Sequence, residues 1–263
     1  MLKLGIIGKG FVGSAVSNGF DKDCEQFIVD PTYTDNTIMD LIDQDTKLVF
    51  VCVPTPPNDD GSINVDTVVE VLSELSDLSY KGVVVVKSTI IPDYLHHFKK
   101  VFDLKIVYNP EFLTEANSLD DFKNPNMQVL GGKWRDCEVV EKAYLRHSSV
   151  KIVPTFKTDL TTASLLKYTI NSYLATKVMF FNDLHKLHES GSSMVSWEQF
   201  TDMLTRDPRI GNSHMQVPGP DGELGFGGHC FPKDTEALLK YAQDKKINLN
   251  MLKKAVETNK KIR

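Results

Sequence analysis

The chain has 263 residues, of which 41% are hydrophobic and 25% are charged, and its formal net charge is -5. This length can bury the core of one large domain or of two modest ones, and the composition is that of a globular protein. The negative charge argues against binding along a nucleic-acid backbone, and no apolar run is long enough to cross a bilayer. The N-terminus lacks the pattern of a secretory signal, so we expect a cytoplasmic protein.

Strand and helix patterns alternate through the first part of the chain. Strand patterns occur at residues 3–8, 26–30, 47–54, 82–89, 105–112 and 126–132. The run at 47–54 is almost wholly apolar, as expected of a parallel strand covered on both faces. Helical spacing follows the first run and recurs at 65–75. The alternation predicts an α/β fold with a doubly wound, parallel Rossmann-type sheet, which we place at residues 1–156.

The pattern changes near residue 157, where strand signals stop and a helical period runs to Gly191. A Gly- and Pro-rich loop at 209–232 separates later helical patterns. Those patterns lie at residues 196–207, 234–246 and 248–263. We therefore predict a smaller all-helical domain at residues 157–263, which carries the loop that contains Cys230.

Three glycines lie between the first strand and the first helix. Gly8 would permit a tight turn, Gly10 would let a pyrophosphate approach the backbone, and Gly13 would let helix and strand pack closely. Asp30 ends the second strand, where a carboxylate accepts hydrogen bonds from ribose hydroxyls and repels a 2′-phosphate. The motif predicts NAD rather than NADP. The alternative is a glycine turn that binds no ligand.

Polar residues follow later strands at the expected carboxyl edge of the sheet. Thr89, Glu111 and Glu115 would reach a common crevice there, although each taken singly also fits a cap or a solvated residue. On the long helix, Lys167 and Asn171 are four residues apart and share a face. Together they could stabilise an oxyanion, and the alternative is an exposed lysine beside a satisfied asparagine.

The stretch GFGGHCFPKD sets Cys230 among glycines, Lys233 and Asp234. The four cysteines lie far apart without zinc spacing, so we expect no metal site and no disulfide. A cysteine at the start of a helix and near Lys233 is placed to have a lowered thiol pKa, and Asp234 is placed to cap the following helix. From these residues alone, Cys230 is either a nucleophile or a small buried residue.

Six stretches together resemble the UDP-glucose/GDP-mannose dehydrogenase family, in the order in which the family carries them. They are GKGFVG, CVPTP, KST, NPEFLTE, LLKYTINSYLATKVMFFND and GFGGHCFPKD. The resemblance implies an NAD-dependent 6-dehydrogenase that oxidises a UDP-glucose-like nucleotide sugar to the uronic acid by two hydride transfers. Such an activity would serve polysaccharide biosynthesis.

The resemblance also implies the roles of single residues. Cys230 would form a thiohemiacetal and then a thioester, which water hydrolyses. Lys167 and Asn171 would steady negative charge on the substrate oxygen, and Asp234 would assist Lys167 or activate water. The loop GPDGELGFGG at 219–228 would lie along the nucleotide sugar.

Three groups of site residues follow from the matched positions. The catalytic residues are Cys230, Lys167, Asn171, Asp234, Glu111, Glu115 and Thr89. The cofactor-binding residues are Gly8, Gly10, Phe11, Val12, Gly13, Asp30, Val53, Pro54, Thr55, Ser88, Thr89, Glu115 and Lys233. The substrate-binding residues are Glu111, Phe112, Leu113, Lys167, Asn171, Gly225, Phe226 and Gly227.

The resemblance further implies a homodimer formed through the helical domain. Family enzymes continue into a second α/β domain that holds the nucleotide, so we expect a short form, completed by a separate chain or working alone. Two other functions stay open. One is a non-catalytic NAD-binding or scaffolding protein, and the other is a β-hydroxyacid-type dehydrogenase, which needs a lysine of the helical domain but no cysteine.

Overall fold

A computed structural model describes residues 1–114 and 117–263 of the chain. Contacts between Cα atoms divide these residues into two compact units. The first contains residues 1–56 and 63–167, and the second contains residues 57–62 and 168–263. The predicted domain boundary between residues 156 and 157 stays a prediction.

A seven-stranded sheet forms the centre of the first unit. Its strands are β1 (Leu2–Ile7), β2 (Cys24–Val29), β3 (Leu48–Val51), β4 (Val83–Val86), β5 (Lys105–Tyr108), β6 (Gln128–Gly132) and β7 (Thr155–Thr158). Their order across the sheet is β2-β1-β3-β4-β5-β6-β7, and neighbouring strands are parallel except β5 and β6. The predicted α/β fold with a parallel Rossmann-type sheet is confirmed, and β5 and β6 are its one antiparallel pair.

Helices flank the sheet of the first unit. They are α1 (Phe11–Gly19), α2 (Ile38–Asp43), α3 (Asp66–Asp77), α4 (Pro92–Val101), α5 (Ser118–Lys123) and α6 (Trp134–His147). Every residue of β3 and β4 is buried, which explains their unbroken apolar sequences. The rings of Phe20, Phe50 and Tyr144 contact one another within the core on one side of the sheet. The apolar strands therefore anchor the polar loops that follow them.

Helices also dominate the second unit, as the sequence predicts. They are the part of α7 (Leu160–Ser190) that follows Lys167, α8 (Trp197–Thr205), α9 (Cys230–Asp244) and α10 (Asn250–Ile262). A capping box between Ser196 and Gln199 begins α8. One apolar cluster joins α7, the loop residue Phe226 and α10, and a second is centred on Trp197. Among the described residues, no helix is both long and apolar enough to span a membrane.

Candidate active site

The turn between β1 and α1 uses its three glycines in three different ways. Gly8 has a φ of +86°, and a Cβ there would lie 3.0 Å from the backbone of Cys52 and Val53. A Cβ on Gly13 would overlap the carbonyl oxygen of Gly8. At Gly10, by contrast, a Cβ would meet no atom within 4 Å. Two of the glycines therefore allow the turn to fold, and the third leaves open space at the start of α1.

Asp30 lies directly after β2 and beside this turn. Its carboxylate accepts hydrogen bonds from the backbone N–H groups of Lys9, at 2.6 Å, and of Thr32, at 2.9 Å. Desolvation raises the pKa of Asp30, but these hydrogen bonds outweigh it, so the pKa lies below its usual value. An ionised acceptor at the end of the second strand and an open glycine at the start of α1 fit the ribose and pyrophosphate of a dinucleotide. Phe11 and Val12 form the first turn of α1.

The loops after β3 and β4 are held together at the carboxyl edge of the sheet. The Ser88 hydroxyl donates to the carbonyl oxygen of Val53 at 2.6 Å, and the Thr55 hydroxyl donates to that of Thr89 at 3.1 Å. Pro54 lies between the two linked residues of the first loop. The five predicted cofactor-binding residues of these loops therefore lie side by side.

Glu111 and Lys167 form a buried ion pair in the first unit. The Lys167 Nζ lies 2.8 Å from the Glu111 Oε1, and their side chains are 2% and 6% exposed. The backbone N–H of Leu113 donates to the other carboxylate oxygen at 2.7 Å, and the Phe112 ring centroid lies 5.7 Å from the Lys167 Nζ. Lys167 is therefore not the exposed lysine of the alternative interpretation.

The ionisation of Glu111 depends on these partners. Burial raises the pKa of Glu111, but the charge and hydrogen bond of Lys167 outweigh it with help from the Leu113 N–H and the charge of Lys87. The pKa of Glu111 therefore lies below its usual value, and the carboxyl is ionised at neutral pH. A fixed carboxylate that holds an ammonium in place can orient this ammonium towards a developing negative charge.

Lys87 is a further functional candidate. It belongs to the KST stretch, but the sequence alone predicts no role for it. Its side chain is buried, and its Nζ donates to the Asn109 carbonyl oxygen at 3.1 Å and to the Asn109 Oδ1 at 3.0 Å. Desolvation lowers the pKa of Lys87 to about 8. The sequence signal for the burial of Lys87 is its place directly after four valines, because a strand of valines is usually covered on both faces of the sheet.

In the second unit, Cys230 is the first residue of α9. The helix begins four residues earlier than expected, because Pro232 falls within its first turn, where a missing backbone N–H costs nothing. The prediction that Asp234 caps the helix is therefore wrong. Instead, Asp234 is fully buried and accepts hydrogen bonds at 2.6 Å from both the Asn171 Nδ2 and the Lys233 Nζ.

The loop before Cys230 is held by side chains that the sequence reasoning missed. The Asn182 Oδ1 accepts from the Gly225 N–H at 2.9 Å, and the Asn259 amide bonds both the N–H and the carbonyl of Phe226. The Phe226 side chain is buried in the apolar cluster, and Asn259 engages its backbone N–H and carbonyl, so its substrate-binding role stays a prediction. A Cβ on Gly227 would overlap the guanidinium of Arg263.

The predicted residues thus form two sets, one in each unit. The first unit brings together the glycine turn, the three strand-end loops and the Glu111–Lys167 pair, and the second groups Asn171, Lys233 and Asp234 near the start of α9. Glu115 lies outside the described residues. Within residues 1–114 and 117–263, no group of three or more His, Cys, Asp or Glu side chains could hold a metal ion.

Models of one family match most of the chain. The NAD binding domain of the UDP-glucose/GDP-mannose dehydrogenase family matches residues 18–147, and the central domain of that family matches residues 161–261. The resemblance inferred from the six motifs is therefore confirmed. The prediction of NAD as the cofactor is confirmed as well.

Similar proteins agree with this result. UDP-glucose 6-dehydrogenase of Rickettsia felis is 33% identical over 226 residues, which are 82% of this chain and 48% of that protein. The chain spans about half the length of the first curated relatives it matches.

Solved structures with low sequence identity support the fold alone. A UDP-glucose dehydrogenase from Pyrobaculum islandicum has a TM-score of 0.79 at 24% identity and covers 99% of this chain and 68% of its own. The 3-hydroxyisobutyrate dehydrogenase of Mycobacterium tuberculosis has a TM-score of 0.75 at 14% identity, with 99% and 93% covered.

Proposed function

Because this chain belongs to the UDP-glucose/GDP-mannose dehydrogenase family, we propose that it oxidises a UDP-glucose-like nucleotide sugar to the uronic acid. NAD, when bound, supplies the hydride acceptor for both oxidations. The observation that carries the proposal is the environment of Cys230, the first residue of α9, one turn before a buried Asp234 that holds Asn171. A thiol at the start of a helix and beside a loop is placed to act as a nucleophile.

The chemistry assigned to the chain has two oxidations and one hydrolysis. The first removes a hydride from C6 and the proton of its hydroxyl, which leaves an aldehyde. The Cys230 thiolate then adds to the aldehyde carbon, and Lys167 and Asn171 stabilise the negative oxygen of the resulting thiohemiacetal. Loss of a second hydride from the carbon of this oxyanion gives a thioester.

Hydrolysis completes the reaction. Water adds to the thioester carbon and loses a proton to Asp234, and the C–S bond breaks to release the acid and the Cys230 thiolate. Thr89, Glu111 and Glu115 have the role of organising this water. Asp234 suits the role of proton acceptor, because its carboxylate is fixed by Asn171 and Lys233.

The proposal also covers the oligomeric state, the cellular location and the biological role of the chain. We assign the chain a homodimer formed through its helical unit, a cytoplasmic location and a role in making the acidic sugars of a polysaccharide. The proposal includes completion by a separate chain that binds the nucleotide.

The decisive test is turnover of NAD with a panel of UDP- and GDP-sugars by the wild type and by Cys230→Ser. We expect two NADH per sugar from the wild type, and a fall in acid formation of about a thousandfold or more in the variant. Cys24→Ser is the matched control, because Cys24 lies in β2, away from every proposed site residue. Rapid mixing would separate the first hydride transfer from the second.

Two outcomes would contradict the proposal. If the wild type binds NAD but neither binds nor oxidises any nucleotide sugar, a non-catalytic NAD-binding or scaffolding role is favoured. If a β-hydroxyacid is oxidised equally well by the wild type and Cys230→Ser, the chain is a hydroxyacid dehydrogenase and the cysteine has no catalytic role.

A further inference from the structure

The proposed reaction gives no role to Lys87, which is a buried cation. Lys87 follows β4 directly and is 3% exposed, which is rare for a lysine. Its hydrogen-bond acceptors among the described residues are the carbonyl and side-chain oxygens of Asn109, and both are neutral. A buried ammonium held by neutral oxygens costs free energy, so its position needs a physical reason.

The contacts of Asn109 explain how Lys87 is held. Asn109 is buried, its Oδ1 also accepts from the Tyr144 hydroxyl at 2.8 Å, and its Nδ2 donates to the Val129 carbonyl oxygen at 2.9 Å. The Phe122 ring centroid lies 5.7 Å from the Lys87 Nζ. Helix α6 and strand β6 therefore fix Asn109, and Lys87 ties the loop after β4 to the loop after β5.

The loop after β5 carries Glu111, two residues beyond Asn109. Among the described residues, the charged groups that act on Lys87 are Glu111, which favours its positive charge, and Lys167, which opposes it. The same interaction acts in reverse, since the charge of Lys87 lowers the pKa of Glu111. Glu111 is thus a single buried carboxylate influenced by two buried ammonium groups.

Two other titratable neighbours of Lys87, Cys52 and Tyr144, are neutral at physiological pH. Burial raises the pKa of the Cys52 thiol to about 12, and burial also raises the pKa of the Tyr144 hydroxyl far above its usual value. Burial lowers the pKa of Lys87 to about 8, so the ammonium keeps its charge at pH 7. Within the part of the chain that the structure describes, the local charge is therefore set by Lys87, Lys167 and Glu111.

We propose that Lys87 is a positioning residue that fixes the Asn109–Glu111 segment through both oxygens of Asn109 and adds a second buried positive charge that favours an ionised Glu111. The inference rests on the proposed function, in which Lys167 stabilises the substrate oxygen. An ionised Glu111 accepts the hydrogen bond of Lys167 and holds its ammonium in one place. A protonated Glu111 would no longer hold the Lys167 ammonium by charge, so this ammonium would adopt more than one orientation.

The first measurement titrates Glu111 directly and does not depend on activity. The side-chain carboxyl carbons of glutamate are labelled with carbon-13, and the Glu111 resonance is assigned by its loss in Glu111→Gln. We expect Lys87→Met to raise the pKa of Glu111 by roughly half a unit or more, because a nearby positive charge is gone. Lys87→Arg keeps the charge and should keep the pKa close to that of the wild type.

Two further variants make this titration decisive. Lys105→Met is the matched control, because Lys105 is an exposed lysine at the opposite end of β5. Lys87→Gln retains an N–H donor for Asn109 and replaces Lys87→Met if the latter does not fold. The inference is overturned if Glu111 titrates in Lys87→Met or Lys87→Gln as it does in the wild type.

The second measurement is the pH profile of kcat with the nucleotide sugar. In Lys87→Met, the acidic limb should move to higher pH and kcat should fall about tenfold with a smaller change in KM, whereas Lys87→Arg should recover most of kcat. An unshifted limb with an unchanged kcat contradicts the positioning role. If the wild type oxidises no nucleotide sugar, the proposed function fails, while the titration still decides whether Lys87 favours an ionised Glu111.

Discussion

Glu111 and Lys167 show how a single charged contact can stabilise a site and yet be costly to break. Both side chains are buried, so removing one of them leaves an uncompensated charge away from water. We expect Lys167→Met to lower the free energy of unfolding by about 3–5 kcal/mol at pH 7. The double variant Lys167→Met/Glu111→Gln should lose clearly less, since neither member of the pair is left charged without its partner.

Urea unfolding of the wild type, both single variants and the double variant measures the coupling between the two residues. Equal losses in Lys167→Met and in the double variant would mean that the cost comes from packing around the lysine and not from the stranded carboxylate.

The same residue predicts a pH dependence of stability. The pKa of Glu111 is lowered in the folded chain, so its ionisation stabilises the fold above the unfolded-state pKa, which is about 4.3. This contribution is lost as the pH falls below that value through the folded-state pKa. The difference in unfolding free energy between wild type and Glu111→Gln should therefore be constant near pH 7 and shrink steadily below about pH 4. A difference that does not change down to pH 2 would contradict the lowered pKa.

At the scale of elements, two glycines of the turn between β1 and α1 serve different purposes. Gly13 allows the turn to fold, and Gly10 leaves room for the cofactor. A Cβ on Gly13 overlaps the Gly8 carbonyl oxygen, so Gly13→Ala should cost about 1–3 kcal/mol of stability. Gly10 has open space around it and an extended backbone that alanine can adopt, so Gly10→Ala should leave the melting temperature nearly unchanged. The added methyl should nonetheless weaken NAD binding about tenfold or more, because the pyrophosphate approaches the backbone there.

Thermal melts and NAD titration calorimetry on both variants check this difference. Each variant serves as the other's control, because both add one methyl group to the same turn. A Gly10→Ala protein that binds NAD as tightly as the wild type would show that the cofactor does not approach this residue.

The limits of the sequence reasoning are clearest at three elements. The sequence predicts β1 to β6 because their apolar runs end in glycine or polar residues, but β7 has only four residues and forms by pairing with β6. The residues of β6 do not indicate that this strand runs antiparallel to β5. The sequence predicts the start of α9 four residues too late, because Pro232 is typical of a loop and is also accepted in the first turn of a helix.

The candidate site was predictable where local motifs carry it. Gly8, Gly10, Gly13 and Asp30 follow from spacing, and their geometry fits the predicted roles. The role of Lys87 was not predictable, because its burial depends on partners 22 and more residues away in the sequence. Such contacts between distant segments depend on the fold, and no local sequence pattern predicts them.

At the scale of the whole molecule, the second unit presents an apolar stripe along α7. Tyr173, Phe180 and Leu187 are seven residues apart and therefore lie on one helix face, and their exposed fractions are 61%, 62% and 67%. Large apolar side chains in a row on a helix surface are typical of a contact with another chain. We therefore expect the proposed homodimer to use this stripe.

A charge placed in the middle of the stripe tests this expectation. The wild type should have about twice the monomer mass of 29.6 kDa by light scattering, and Phe180→Asp should shift it to the monomer, because the carboxylate would be desolvated in the interface. Met194→Asp is the matched control, since Met194 is 99% exposed but lies beyond the end of α7. A monomeric wild type would contradict the homodimer, and a dimeric Phe180→Asp would place the contact on another surface.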